Sequence, residues 1–388
     1  MKPVLIITHY YPPETGAAAN RICHLAEGLA LNGFKVSLAT PLPNYPTGKI
    51  FKAYKTKNKK KQVENGVEVN RLWIYPSNSK NKFVRLFSML SYSISLIWFF
   101  ISNKIPKTVI VQSPPLLVAF TSMFFLRRKK RELILNVSDL WPLAGLELRA
   151  MKKGLSFDIL EKIERFNYRK ADLILGQSNE IIQHVKSIVP QQTCFLYRNF
   201  PDFILPPLPE EPIKINRKIK LVYAGLLGVA QGILKLCEYI DTSNIEFHIY
   251  GSGQEKDSIT AYLKHTAKQN IYYHGQLSRN ELHHELLKYD LTIVPLLNRI
   301  YGSVPSKIFE YAKLGLPILY FGGGEGEEII KRFELGWVAE SGDYEALNSK
   351  INNLTLTILD LEMKQKLRET SNLHFDFSKQ LKELIDIV

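Results

Sequence analysis

The sequence predicts an α/β protein built as two doubly wound domains, each a parallel sheet with helices on both faces. Three observations predict this. Short β-branched runs alternate with amphipathic helical patterns through both halves of the chain. A stretch with five prolines in twelve residues, PDFILPPLPEEP (201–212), separates the halves. The length, 388 residues, exceeds what a single hydrophobic core supports.

The elements follow in order. VLIIT (4–8) is a strand by its β-branched content, and residues 17–32 form a helix whose apolar face carries Ile22, Leu25, Ala26 and Leu29. Gly33 ends that helix and KVSLAT (35–40) is the next strand, giving a βαβ unit with a right-handed crossover. Between the first strand and its helix, THYYPPETGAAANR (8–21) avoids bulk, as a segment does when something must approach the backbone. Further strands are predicted at 67–75, 108–113, 132–137, 171–178 and 193–199, with helical patterns between most of them. After the prolines the alternation restarts at 220–225, 246–253, 271–276, 291–296, 317–324 and 336–341.

The predicted organisation is therefore an N-terminal domain over 1–200 and a linker over 201–215. A C-terminal domain follows over 216–370, and a last helix over 371–388 is expected to return to the first domain. Ligands of such sheets bind at the carboxyl ends of the strands, so the expected site is a cleft between the two domains.

Charge divides the halves. Residues 1–200 hold 30 Lys and Arg against 12 Asp and Glu, a balance of +18, whereas 201–388 hold 21 against 25, a balance of −4. A basic half suits an anionic membrane, an anionic substrate or nucleic acid. Cys23, Cys194 and Cys237 are scattered, which suggests a reducing compartment and no structural zinc. The opening MKPVLIITHYYPPE has too short an apolar run for a signal-peptide core, so a cytoplasmic location is expected.

Glycines cluster after strands of the second half, at YAGLLGVAQG (223–232), GSG (251–253) and FGGG (321–324). Glycine there lets a phosphate reach backbone N–H groups, although tight turns need it for steric reasons alone. No GxGxxG with a following acid and no GxxxxGK[ST] occurs, which disfavours a dehydrogenase and removes P-loop chemistry. The sharper signal is GSVPSKIFEYAKLGLPILY (302–320). It sets Ser306 and Lys307 at a helix start, where hydrogen bond, charge and helix dipole together suit a diphosphate. Glu310 lies one turn on, within reach of a ribose diol.

In combination these stretches resemble bacterial glycosyltransferases of family 4. The resemblance is carried by HYYPPETGAAANRI (9–22), PNYPTGKI (43–50), DLWP (139–142), YAGLLGVAQG (223–232), GSGQE (251–255) and VPSKIFEYAKLGLPIL (304–319). It implies a GT-B fold of two Rossmann-like domains, and retaining, metal-free transfer from a nucleotide diphosphate sugar, UDP-linked by expectation. The most similar subgroup builds O-antigen, capsule or exopolysaccharide repeat units and includes N-acetyl-L-fucosamine transferases. Residues placed by resemblance at the donor are Gly16, Gly225, Gly228, Gln231, Gly251, Leu277, Ser306, Lys307 and Glu310. The chain departs from the family twice. Gly302 stands where members often carry a first glutamate, and GLLGVAQG lacks the usual Arg and Lys. Diphosphate charge then falls to Lys307, helix N-termini and Arg21 or Arg198.

Breaking the glycosidic bond puts negative charge on the leaving diphosphate, which cations and N–H dipoles must meet. With no Asp-x-Asp pair in the sequence, cations alone are expected there, with no metal and no cofactor. Asp139, after the 132–137 strand, is a candidate to orient or deprotonate the acceptor hydroxyl, a helix cap being the plainer alternative. His9, at the end of the first strand, is a second candidate.

The basic half points to a membrane. Residues 86–103 carry no charge, and PLLVAFTSMFFL (115–126) runs directly into Arg127, Arg128, Lys129, Lys130 and Arg131. KAYKTKNKKK (52–61) adds six lysines. Apolar helices beside cations suit an anionic bilayer better than nucleic acid. The expected partners are thus a nucleotide-sugar donor, a polyprenyl-diphosphate-linked sugar acceptor and the inner face of the cell membrane. Two rival readings stay open. A non-hydrolysing nucleotide-sugar 2-epimerase would form epimer without acceptor, and a non-catalytic scaffold of a polysaccharide assembly complex would bind no donor.

Overall fold

The computed structural model describes residues 1–45, 47–55, 60–79, 81–148, 150–208 and 217–388, the side chains of Lys82 and Arg85 excepted. It divides into two units. The first comprises Met1–Asn199 with two later pieces, Tyr301–Ser303 and Ser378–Val388. The second comprises Phe200–Ile300 and Val304–Phe377. Positions 209–215 of the predicted linker lie outside the described residues.

In the first unit the order is β1 (Pro3–Ile7), α1 (Ala17–Leu31), β2 (Lys35–Pro41), β3 (Lys61–Glu64), β4 (Val67–Leu72), α2 (Lys82–Ser102), β5 (Thr108–Ser113) and α3 (Leu116–Leu126). It continues with β6 (Glu132–Val137), α4 (Leu143–Glu147), α5 (Leu155–Lys170), β7 (Leu173–Gly176), α6 (Asn179–Ile188) and β8 (Cys194–Leu196). The eight strands lie in the order β3-β4-β2-β1-β5-β6-β7-β8, all parallel except the β3–β4 hairpin. The strand order reverses between β1 and β5, in register Ile6 opposite Ile110. Loops leaving β1, β5 and β6 therefore open onto one edge.

Burial explains the strands. Every residue of β5 and all but the first of β1 are buried, as expected of parallel strands covered on both faces. Leu5, Ile7, Val109, Val111, Leu133 and Leu135 form the centre of the core. The Tyr92 hydroxyl of α2 lies within hydrogen-bond distance of the carbonyls of Thr8 (2.8 Å) and Ala39 (3.1 Å), fixing the helix at the carboxyl ends of β1 and β2.

The second unit holds β9 (Ile219–Leu226), α7 (Ile233–Tyr239), β10 (Ile245–Ser252), α8 (Lys256–His265), β11 (Ile271–Gly275), α9 (Arg279–Leu286) and β12 (Leu291–Pro295). Then come α10 (Lys307–Leu314), β13 (Ile318–Phe321), α11 (Glu325–Arg332), β14 (Gly336–Ala339), α12 (Tyr344–Asn352) and α13 (Leu361–His374). Its six parallel strands run β11-β10-β9-β12-β13-β14, so this sheet reverses between β9 and β12. Leu221, Tyr223, Ile249, Ile293 and Leu319 fill its core. The last helix, α14 (Phe377–Ile387), carries the chain into the first unit.

Several predicted strands shorten: 171–178 to Leu173–Gly176, 317–324 to Ile318–Phe321 and 336–341 to Gly336–Ala339. The 67–75 strand ends at Leu72 and the 193–199 strand shrinks to Cys194–Leu196. The lysine-rich 52–61 stretch contributes a single 3-10 turn, Lys52–Tyr54, and the first residue of β3, while 56–59 lie outside the described residues. β3 had no sequence signal, because Lys61–Glu64 is a half-exposed edge strand that buries little.

Candidate active site

In the first unit the loop after β1 is held by a buried acid. Glu14 accepts from the backbone N–H groups of Asn44 (2.7 Å) and Tyr45 (2.8 Å), coupling the β1 loop to the β2 loop. Arg71 ties the same loop by donating to the Pro12 carbonyl at 3.0 Å. Gly16 then starts α1 at φ +151°, a conformation open to glycine and to few other residues, and no described atom comes within 4 Å of where its Cβ would sit. The small residues therefore leave the α1 amino end unobstructed. That is the structural counterpart of the bulk-free sequence.

Behind this opening Arg21 is 3% exposed. Its Nη2 donates to Asn136 Oδ1 at 2.6 Å and its Nη1 to Gln177 Oε1 at 3.3 Å, and its guanidinium lies 5.0 Å from the Tyr197 ring centre. Asn136 Nδ2 donates in turn to Gln112 Oε1 (2.7 Å), and Gln112 Nε2 to Ser138 Oγ (2.8 Å). The chain of amides orients a cation but does not neutralise it, and the buried Arg21 Nε finds no partner among the described residues. Burial lowers its pKa to about 10, with Tyr197 and Asp139 opposing, so it stays charged at neutral pH. A desolvated cation is costly, and an incoming anion would relieve that cost.

Asp139 is half-buried two residues beyond β6. Burial lifts its carboxyl to about 6 against the opposing pull of Arg21. It is no helix cap: Pro142 precedes α4, and no described side chain caps that helix. His9 follows β1 with its ring edge-on to Tyr10 and Tyr92 at 4.9 and 5.5 Å. Its buried Nδ1 has no partner among the described residues, and burial lowers its pKa to about 4, so the imidazole is neutral. Arg198 is half-buried, its backbone N–H and carbonyl both bound by the Gln380 side chain of α14 at 2.8 and 3.0 Å.

The second unit gathers the other predicted residues around α10. Glu310 is 8% exposed and is gripped from two sides: His283 Nε2 lies 2.7 Å from one carboxylate oxygen and Lys307 Nζ 2.9 Å from the other. Burial alone would raise the Glu310 pKa, but the Lys307 ammonium and the His283 contact outweigh it and hold it at about 2. His283 is itself buried, its ring centre 4.0 Å from that of Phe203. The sequence reading missed His283, which is 27 residues from its partner on a different helix. Lys307 is thus no isolated cation, since one of its three donors is spent on Glu310. Ser306 precedes α10 but makes no capping hydrogen bond to the described residues, and Leu277 sits half-buried before α9.

The glycines answer mainly to sterics. A Cβ at Gly251 would stand 1.8 Å from the Gly225 carbonyl oxygen, and one at Gly253 2.4 Å from the Leu227 carbonyl oxygen. At Gly225 it would meet the Tyr223 hydroxyl at 2.9 Å, and at Gly228 the Gln231 Oε1 at 2.8 Å. Gly225 and Gly251 pair across β9 and β10, so close strand-end packing accounts for them. The buried Gln231 Oε1 has no partner among the described residues and is an acceptor available to a ligand.

Gly302 occupies the position where the resemblance would place a glutamate. Residues 301–303 belong to the first unit, where Gly302 donates its N–H to Glu180 (2.7 Å) and accepts from Ser178 Oγ (2.8 Å). Its φ is +84°, and a Cβ would press Ile181 at 2.9 Å and Leu140 at 3.1 Å. A side chain there would be strained by the positive φ and would have to displace Ile181 and Leu140. The five-cation run also divides: Arg127 is paired with Asp172 at 2.6 Å and Arg131 donates to the Leu126 carbonyl at 2.8 Å. Arg128, Lys129 and Lys130 remain as exposed cations.

Comparison with known proteins gives the chemistry a setting. Residues 16–193 match the model for a glycosyl transferase 4-like domain, and 210–372 that for glycosyl transferases group 1. A search of curated proteins finds no match. Among solved structures, sucrose-phosphate synthase from Thermosynechococcus elongatus is similar with a TM-score of 0.77 at 12% identity, covering 100% of this chain and 98% of that one. The lipopolysaccharide outer core galactosyltransferase WaaB gives 0.64 at 15% identity over 100% and 99%. HepE from Anabaena, solved with UDP and glucose, gives 0.67 at 11% identity over 100% and 99%. With a glycosyltransferase model matching each half and two doubly wound sheets beneath them, the chain is a glycosyltransferase of the GT-B type.

Proposed function

We propose that this enzyme moves a hexose or N-acetylhexosamine from a UDP-sugar, with retention and without a metal. The acceptor would be a polyprenyl-diphosphate-linked sugar at the inner face of the cell membrane, in assembly of O-antigen, capsule or exopolysaccharide. The observation that carries the donor half is the Glu310–Lys307–His283 cluster at the amino end of α10. A carboxylate held ionised keeps lone pairs for a ribose diol, while Lys307 retains donors for the diphosphate. Helix N-termini and the desolvated Arg21 are assigned the remaining positive potential, which grows in value as the leaving diphosphate gains charge. Asp139 is assigned to the acceptor hydroxyl, since a carboxyl poised near 6 is largely ionised at neutral pH and is a serviceable base there.

The test is a panel of nucleotide diphosphate sugars offered to the full-length protein, with binding measured calorimetrically and donor hydrolysis by product release. UDP-sugars should bind and hydrolyse slowly. Binding of another base in preference corrects the donor, and binding of none overturns the reading. The membrane half draws on the charge of the first unit, and no helix among the described residues is long and apolar enough to cross a bilayer.

A further inference from the structure

From Val69 to Arg131 the sequence has eleven Lys and Arg and no acidic residue. α2 lies within this segment and has two faces. Tyr92, Leu96 and Phe99 are buried, whereas Phe83 (82% exposed), Phe87, Leu90, Ile94, Trp98 (71%) and Ile101 (74%) form a stripe open to solvent. Their spacing of three to four residues places them in one row along the whole helix. An apolar row of this length on a helix surface marks an interaction site. At its far end, Ile97, Ile101 and Phe125 line a groove of about 520 Å³ that also presents Asn103, Lys104 and Arg128.

Two helix carboxyl ends lie at this groove, and their partial negative charge would ordinarily repel an anion. Here one carbonyl at each end is already covered. Arg131 donates to Leu126 O (2.8 Å) and Pro106 O (3.2 Å), and Asn103 Nδ2 donates to Phe99 O at 3.0 Å. Lys104 and Arg128 are both exposed, beside walls that are apolar. Apolar walls rimmed by Lys104 and Arg128 complement an amphiphile with a phosphate head, and the adjoining Lys129 and Lys130 add exposed cations.

We propose that the groove between the carboxyl ends of α2 and α3 seats the phosphate headgroup of an anionic membrane phospholipid, while the α2 stripe lies flat in the interface of that bilayer. The site rests on the membrane half of the proposed function but is separable from it. An interfacial helix gains area-proportional apolar burial, and the seat adds charge-assisted hydrogen bonds at a defined point.

The experiment is co-sedimentation of the full-length protein with vesicles of phosphatidylcholine alone or with added phosphatidylglycerol. Wild type should bind the anionic vesicles, and Ile94→Ser with Trp98→Ser should abolish binding. The double variant Lys104→Gln with Arg128→Gln is then compared with Lys129→Gln with Lys130→Gln, which removes two exposed cations outside the groove lining. Charge alone predicts an equal loss for the two pairs, roughly thirtyfold each. The seat predicts a loss about tenfold greater for the groove pair. Equal losses overturn the seat and leave bilayer docking intact. Failure of wild type to bind any vesicle, or a dimer that Trp98→Ser dissociates, overturns both.

Discussion

Glu310→Gln removes one charge from a buried cluster while keeping nearly the same shape. The Glu310 pKa stands at about 2 against an ordinary 4.5, a difference of about 2.5 units in favour of the ionised form. At about 1.4 kcal/mol per unit this is roughly 3 kcal/mol of folding stability at neutral pH. Because the folded pKa is the lower one, that stability is fully present above pH 4.5 and is lost as pH falls toward 2. For a unit of this size it corresponds to a fall in melting temperature of roughly 6–12 °C. Calorimetric unfolding at pH 7 and at steps down through the acid window should show the gap between wild type and variant narrowing. A gap below about 1 kcal/mol at pH 7, or one indifferent to acid, refutes the view that His283 and Lys307 hold a desolvated carboxylate. The same variant measures function: UDP-sugar affinity should fall with it, and unchanged affinity would make Glu310 a structural residue only.

Three further outcomes follow from the same geometry. His283→Leu strands one Glu310 oxygen and should cost about 1–3 kcal/mol and weaken donor binding, whereas His283→Gln should restore much of both, as seen by thermal melts and titration calorimetry. Gly302→Glu, which supplies the acid that the resemblance would place there, should destabilise the protein by about 1–3 kcal/mol without raising turnover, because its φ of +84° strains a side chain and a Cβ would crowd Ile181 and Leu140. With Asp139 at about 6 and active as the carboxylate, transfer measured as kcat/KM should rise with pH through about 6, and Asp139→Asn should lose both the activity and that inflection. Its folding contribution has the opposite sign to that of Glu310: with the pKa raised, stability is lost as pH climbs from 3.8 through 6.

The architecture is legible in the order of residues alone. Strand and helix periodicity identified the parallel strands from β1 through β14, apart from the edge strand β3, because buried strands are written in consecutive β-branched residues. The position of Glu310 and Lys307 on one helix turn was equally legible, since residues three apart on a helix share a face. Which partners those residues meet depends on how distant segments pack. Nothing local connects His283 to Glu310 or Arg21 to Asn136 and Gln177, because each pair is separated by 27 to 156 residues and meets only once strands and helices are stacked. The glycines divide for the same reason. Gly251 and Gly302 look alike in sequence, yet a Cβ at the first would stand 1.8 Å from a neighbouring strand's carbonyl, whereas one at the second would crowd the Ile181 and Leu140 side chains. Charge was readable as a sum and unreadable as a surface: Arg127 and Arg131 are taken up by a carboxylate and by carbonyls, which leaves Arg128 and Lys104 facing out.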